Sequence, residues 1–367
     1  MPPLDGVRVL DLSRVLAGPY CTMILADLGA DVTKVERPGS GDETRTWGPP
    51  YAGGESAYYM SVNRSKRSVA IDLSTTEGQQ RALQLAGDSH VVIENFRVGT
   101  AERMGLGYED VAARNPTVVY CSITGFGSDR QPPGRPGYDF VAQAESGLMS
   151  ITGDADGEPT KVGVAVVDVL TGLHASAAIL AALYKGEGER IEVSLLDSAL
   201  AALVNVAQNT LVTGEEPQRH GNAHPNIVPY ETFRASDGHL AIAAANDGLY
   251  RRLCDVLEAP ELAEDPRFAS NPGRVKHRQL LIPLIAERLA TRSAEEWLTA
   301  LDAAGVPAGK IRSVPDALRA AVNAGRPATT RVPHPTAGEV ELVNSPIRLT
   351  RDTLRPPTAP PLLGQDG

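Results

Sequence analysis

Short aliphatic runs alternate with stretches of helical spacing through the first 130 positions. Residues 7–12 (VRVLDL) read as a buried strand. Residues 19–28 follow with Ile24, Leu25 and Leu28 on one helical face and Gly29 as the stop. Residues 31–36 form the next strand. The unit then repeats, with a strand at 68–73, a helix at 75–86 and strands at 90–94 and 117–123. Thr76 is the expected cap of that helix, with Gln79 three residues on. Strand–helix–strand repetition of this kind predicts a parallel sheet with helices on its faces, an α/β fold.

From Asp139 the spacing becomes helical. Residues 141–149 and 170–184 read as buried helices, 190–195 as a strand and 199–212 as a further helix. Residues 1–213 thus make a large domain, and the polar stretch 214–228 reads as a linker. Residues 229–325 carry one strand, at 239–243, and several amphipathic helices, which predicts a smaller α+β domain. The tail, 326–367, holds eight prolines, is mostly extended and must wrap back over something to be ordered. Two loops rich in glycine and proline, 38–54 and 125–137, follow predicted strands, where open α/β sheets bind ligands.

Composition changes this picture in three places. Aromatic residues make up only 5% of the chain, so small and aliphatic side chains must fill the core. A net charge of −10 excludes a general nucleic-acid binder. The three cysteines, Cys21, Cys121 and Cys254, are odd in number and far apart, which predicts neither a disulfide framework nor a metal site. The N-terminus lacks a charged segment leading into an apolar run. The most apolar stretch, 163–184, is broken by Asp168, Thr171 and His174. A cytoplasmic protein with no membrane span is expected.

After residue 12 the chain reads SRVLAGP, not G-x-G-x-x-G, so the pyrophosphate seat of a nicotinamide enzyme is missing. Arg37, Arg64, Lys66, Arg67, Arg97 and Arg103 fall near predicted strand ends, a pattern that fits either a solvated loop surface or a phosphate seat. Asp168 is the lone carboxylate in VGVAVVDVLTG (162–172). Burying it costs free energy unless something uses or satisfies it. It directly precedes a predicted helix, whose dipole would keep it ionised. The pattern fits both a helix N-cap and a carboxylate nucleophile.

Motifs spread over nearly the whole chain resemble the class III CoA-transferases, the CaiB/BaiF type. They are RVLDLSRVLAGPYCT at 8–22, LADLGADV at 25–32, ERPGSGD at 36–42, NRSKRS at 63–68, ENFR at 94–97, GYDFVAQ at 137–143, HPNIVPY at 224–230 and PLLG at 361–364. The resemblance implies a Rossmann-like large domain completed by 326–367, a small domain, and an interlocked homodimer. It implies an acyl-CoA and a carboxylic acid as partners, coenzyme A as substrate and no permanently bound cofactor. By position Asp168 matches the catalytic aspartate, which passes through a mixed anhydride and an aspartyl-CoA thioester. Leu16 and Ala17 match the segment beside the thioester. Arg37, Asn95, Phe96, Arg97 and Arg103 match positions that hold CoA, and Ile71, Asp72, Leu73 and Ser74 match the adenine side.

Two departures narrow the reading. Formyl-CoA transferases carry a glutamine at the position of Leu16, a basic residue near Pro136 and a glycine-rich loop, none of which is clear here. The racemases of the same family pair the aspartate with a histidine where this chain has Tyr138, which is grouped with the CoA-binding positions. A phenol, with an ordinary pKa of about 10, is a poor two-way proton carrier at neutral pH. An α-methylacyl-CoA racemase and an acyl-CoA hydrolase stand as alternatives, and sequence does not separate the second from a transferase. His174 and His224 read either as bases or as packing residues.

Overall fold

The computed structural model describes residues 1–130 and 134–367. Pro132 and Pro133 of the second glycine- and proline-rich loop therefore lie outside the described residues. The chain forms two compact units: Met1–Met149 with Lys161–Glu216 and Val322–Gly367, and Ser150–Thr160 with Pro217–Ala321. The 150–160 segment, assigned from sequence to the large domain, belongs to the second unit.

The first unit is built on six parallel strands: β1 (Arg8–Asp11), β2 (Asp31–Glu36), β3 (Lys66–Ala70), β4 (Val91–Glu94), β5 (Val119–Thr124) and β6 (Glu189–Ser194). Their order is β3-β2-β1-β4-β5-β6, the doubly wound arrangement that reverses direction between β1 and β4. Val9 pairs with Val32 on one side and Val91 on the other. Successive side chains point to opposite faces, and both faces are buried. Val9, Val32, Ile93 and Cys121 enter one core, while Leu10, Val35, Val92 and Tyr120 enter the other.

The first core is covered by α1 (Ala17–Asp27) and α5 (Val166–Lys185). Between them in sequence come α2 (Ala57–Val62), α3 (Thr76–Gly87), which lends Ala82 and Ala86 to the second core, and α4 (Asp139–Glu145). By length and composition α5 could cross a membrane, but its face of Val167, Thr171, Ala175 and Ile179 is buried against the sheet. Gly172 lets α5 lie on α1, since a Cβ there would stand 2.7 Å from the Ala17 carbonyl oxygen.

Four local expectations change. Thr75, not Thr76, caps α3 by accepting from the Gly78 N–H at 3.0 Å. The third strand starts at Lys66, two residues before the expected start. The helix read at 199–212 is two helices, α6 (Leu195–Ala202) and α7 (Val204–Thr213), bent by 75° where Val204 takes a φ of 41°. And α5 begins at Val166, so Asp168 sits inside its first turn.

The tail folds first into a hairpin, Thr329–His334 with Gly338–Val343, and then runs along the outer edge of β3. The Asp366 N–H donates to the Ser68 carbonyl, the Ser68 N–H donates to the Asp366 carboxylate at 2.8 Å, and the Ala70 N–H reaches the Gly367 carbonyl. An otherwise open strand edge is thereby paired. In the second unit the strands Tyr230–Ala235, Gly238–Ala243 and Ala308–Lys310 form an antiparallel sheet. Its helices bury Tyr250, Leu253, Leu281, Ile285 and Trp297.

Two cations offered as phosphate contacts are structural. Lys66 is buried on Asp11, and Arg64 holds Asp27 with two hydrogen bonds, at 2.9 and 2.5 Å. Arg64→Ala leaves the Asp27 carboxylate buried and unpaired. It is expected to lower unfolding free energy by about 3–5 kcal/mol in a urea titration.

Candidate active site

The site grows from the turn between β1 and α1. Asp11, fully buried at the end of β1, accepts hydrogen bonds from the Ser13 N–H at 2.9 Å, the Thr22 hydroxyl at 2.6 Å and Lys66 Nζ at 3.1 Å. Lys34 Nζ, also fully buried, donates to the Ser13 carbonyl at 2.7 Å and meets Asp42 at 2.9 Å. Asp42 in turn accepts from the Val15 N–H at 3.3 Å, which helps hold that residue at a φ of 69°. A β-branched residue enters this region only when its surroundings force it. Gly18 has no room for a side chain, because a Cβ there would lie 2.2 Å from Ser13 Oγ.

Burial alone would raise Asp11. Lys66 and Lys34, with the Ser13 and Thr22 hydroxyls, outweigh it and hold the carboxyl at about 2. At Lys66, by contrast, burial prevails, and the group falls to about 8 despite its Asp11 partner.

Asn95 completes the turn from the side of β4. Its amide donates to the Arg14 carbonyl at 2.7 Å and accepts the Arg14 N–H at 2.8 Å. Asn95, expected to hold CoA, thus lines the cleft with both amide atoms engaged by backbone. Glu94 fixes the same segment from below by accepting the Phe96 N–H at 2.8 Å. Burial pushes Glu94 up to about 7.

Two chambers open along the carboxyl ends of these strands. One is lined by Leu16, Ala17, Asn95, Phe96, Arg97, Tyr138 and Asp168, among others. The other is lined by Arg37, Ile71, Asp72, Leu73 and Ser74 together with Trp47 and Gln79. Arg14, Glu43 and Phe96 line both, so they form the passage between the chambers. Every residue that the family resemblance assigns to the site lines one chamber or the other except Arg103. That residue lies on the turn Thr100–Arg103 and donates to Thr100 Oγ1 at 2.7 Å. Arg67 lines neither chamber and donates to Thr33 Oγ1. Sequence reasoning missed Arg14, although it stands inside the first quoted motif. Its guanidinium pairs with Glu43 at 2.8 Å, both half-exposed.

Asp168 is only 9% exposed. It does not cap α5: the N-cap is Ala165, which has no capping side chain. The cap comes from Asp139, whose carboxylate accepts the Val167 N–H at 2.8 Å and the Asp168 N–H at 3.4 Å. Gln143 steadies Asp139 at 2.6 Å. The Asp168 carboxyl itself has no hydrogen-bond partner among the described residues. Burial, and then the Asp139 carboxylate, push it up to about 7, which corrects the expectation that a helix dipole would keep it fully ionised. His174 is exposed on α5 and meets Ser198 Oγ at 3.1 Å. His224 lies in the second unit, where its Nδ1 accepts the Asn226 N–H at 3.0 Å.

An α/β sheet with a two-chambered cleft at its switch point and a buried, unpartnered carboxylate on one wall suits nucleophilic acyl chemistry on an elongated ligand. The chain belongs to CoA-transferase family III, whose model matches residues 4–367. It is 43% identical over 369 residues to succinyl-CoA:glutarate CoA-transferase of Mus musculus, covering 100% of this chain and 85% of the relative. It is 47% identical over 323 residues to succinate–glutarate CoA-transferase of Agrobacterium fabrum, covering 85% of this chain and 81% of the relative. The crystal structure of a CaiB/BaiF family protein from Brucella suis superposes with a TM-score of 0.87 at 42% identity, covering 99% and 97% of the two chains. The protein is therefore a CoA-transferase, an enzyme whose substrates are CoA thioesters.

A carboxyl raised in the folded state binds its proton more tightly there than in the unfolded chain. Stability is then full below the unfolded value near 3.8, falls as pH rises toward about 7, and is level above. Asp168→Asn removes that loss. Its gain in unfolding free energy over the parent is expected to grow between about pH 4 and 7 to about 2–4 kcal/mol, read from denaturant titrations across that range.

Proposed function

We propose that this enzyme moves CoA from a dicarboxylic acyl-CoA such as succinyl-CoA to a second short dicarboxylic acid, through covalent intermediates on Asp168. The observation that carries the reading is the Asp168 carboxyl, buried in the cleft with no partner to weaken it as a nucleophile. One Asp168 oxygen bonds to the thioester carbon, the C–S bond breaks, and CoA leaves as the thiolate. The thiolate then attacks Asp168 Cγ, releasing the donor acid and leaving an aspartyl-CoA thioester. The acceptor carboxylate attacks the same carbon and expels the thiolate. Attack of that thiolate on the acceptor's acyl carbon gives the new thioester and frees Asp168. The activation passes from thioester to anhydride and back in each half-reaction, so no other energy source is needed.

The substrate class rests on the names of the two relatives, both succinate–glutarate enzymes, and on Arg14 and Arg97 in the Asp168 chamber. Arg37, beside Ile71, Asp72, Leu73 and Ser74, suits the phosphates of the nucleotide end. A homodimer is part of the proposal. The apolar side chains Leu200, Val204, Leu211 and Val212, on α6 and α7, are 42–79% exposed, a face that a second copy of the chain would cover.

Incubation with succinyl-CoA is expected to add an acyl- or CoA-sized mass to the peptide carrying Asp168, and hydroxylamine to trap it as a hydroxamate. Asp168→Ala is expected to abolish the adduct and lower kcat by at least about 10³-fold. CoA release that proceeds without any acceptor acid would instead make the enzyme a hydrolase. Absence of an adduct with deuterium uptake at the α-carbon would make it an isomerase.

A further inference from the structure

A carboxylate nucleophile has to meet its carbon within about 3–3.5 Å and in line with the bond that forms. The Asp168 carboxyl has no hydrogen-bond partner among the described residues, so its aim is inherited from its backbone. That backbone is the first turn of α5, where the N–H groups have no partner inside the helix. Ala165, at the N-cap, has no side chain to offer them.

The partners come from α4, whose N-cap, Tyr138, lines the Asp168 chamber. Asp139 and Gln143 stand one turn apart on one face of this helix. One Asp139 oxygen accepts the Val167 N–H at 2.8 Å and the Asp168 N–H at 3.4 Å. The other accepts the Gln143 amide at 2.6 Å. The amide oxygen of Gln143, which is fully buried, accepts the Val162 N–H at 2.9 Å. The chain is thus strapped at Val162 and again at Val167 and Asp168, on either side of an exposed bend at Gly163 and Val164. The helix is itself seated on the sheet. Gly137 lies so close to Gly125, just past the end of β5, that a Cβ on it would stand 2.5 Å from the Gly125 Cα. A hydroxyl cap would satisfy the Val167 N–H without placing a charge near Asp168. It would lack the second oxygen, which engages Gln143.

We propose that Asp139 and Gln143 are a pair of positioning residues, which fix the approach of the chain to Asp168 and so the line along which its carboxylate attacks the acyl carbon. Neither lines the chamber, and neither gains or loses a proton in any step. They act only through the backbone that carries the nucleophile. The inference rests on the reading of Asp168 as that nucleophile.

Asp139→Asn keeps size and one acceptor but sets an amide donor against the Gln143 amide, so Gln143 can no longer serve both neighbours. It is expected to lower kcat about 10²-fold, to slow adduct formation on Asp168 by the same factor, and to leave KM for succinyl-CoA near the parent's. Gln143→Glu sets two carboxylates against each other and is expected to do the same. Asp139→Asn combined with Gln143→Glu restores every bond, because the displaced carboxylate accepts both the asparagine amide and the Val162 N–H. The double variant is expected to recover kcat to within about tenfold of the parent, a coupling that independent sites do not show. Rates are compared where circular dichroism shows each variant folded. Should a single variant not fold, the double variant still decides: a rate near the parent's supports the straps, and a folded enzyme about 10²-fold slow overturns them. A folded Asp139→Asn enzyme with the parent's kcat and adduct rate, a loss that falls on KM instead of kcat, or a double variant no faster than the singles would each overturn the proposal. A parent enzyme that forms no adduct at Asp168 would sink the nucleophile reading itself, which is a separate result.

Discussion

Everything on the catalytic side of the sheet hangs from the buried charges beneath the β1–α1 turn. Asp11, Glu36 and Asp42 face Lys34, Lys66 and Arg45 with almost no access to solvent. Taking such groups out of water costs several kcal/mol each, and only a complete set of partners makes it tolerable. The set is complete here. Lys34 reaches Asp42 and a carbonyl, Lys66 reaches Asp11, a carbonyl and Asn63, and Arg45 meets Glu36, Glu55, the Tyr59 hydroxyl and the Pro361 carbonyl. The network brings together the ends of β1 and β2, the start of β3, the 38–54 loop and the tail. A well-packed apolar core could hold the same elements, but it would not fix the angles of Ser13, Arg14 and Val15. Those angles deliver Leu16 and Ala17 to the chamber that Asp168 also lines.

Two carboxyls, Glu94 beneath the cleft and Asp168 in its lining, are both pushed by burial to about 7, yet they do different work. Glu94 holds the Phe96 N–H and so shapes the passage between the chambers. Asp168 holds nothing. The distinction follows from the neighbours rather than from the shift itself, because architectural acids are perturbed as readily as reactive ones. Asp139 joins the two roles: its carboxylate finishes the uncapped end of α5, and its charge makes ionisation of Asp168 harder. One side chain thus both caps the helix that carries Asp168 and adds to the burial that raises it.

Much of this was legible in the sequence. The aliphatic runs gave the six parallel strands to within a few residues, because strands buried on both faces leave a continuous apolar signature. The family resemblance named Asp168, Leu16, Ala17, Phe96 and the 71–74 segment, and these residues line the two chambers. What sequence could not carry was pairing over long separations. Nothing local distinguishes Arg64 and Lys66, sealed in ion pairs, from Arg37, exposed in the second chamber. Nor does any spacing show that the Asn95 amide belongs to the Arg14 backbone, 81 residues earlier. The Tyr230–Ala235 strand was missed because its partner Gly238–Ala243 alone had a clear aliphatic run. The break at Val204 was missed because helical periodicity continues through a residue whose backbone turns left-handed.

The tail's seat along β3 has a consequence in time. Ser68 and Asp366 are hydrogen-bonded across 298 residues of sequence. At a synthesis rate of about 5–20 residues per second, β3 leaves the ribosome roughly 15–60 s before the segment that closes its edge. During that interval the nascent sheet presents an unpaired strand to its surroundings. The Pro361 carbonyl, which Arg45 and Tyr59 await, arrives equally late. The pocket-forming half of the enzyme is thus made first and locked last, so its yield in a cell depends on how well a half-finished sheet is sheltered while translation continues.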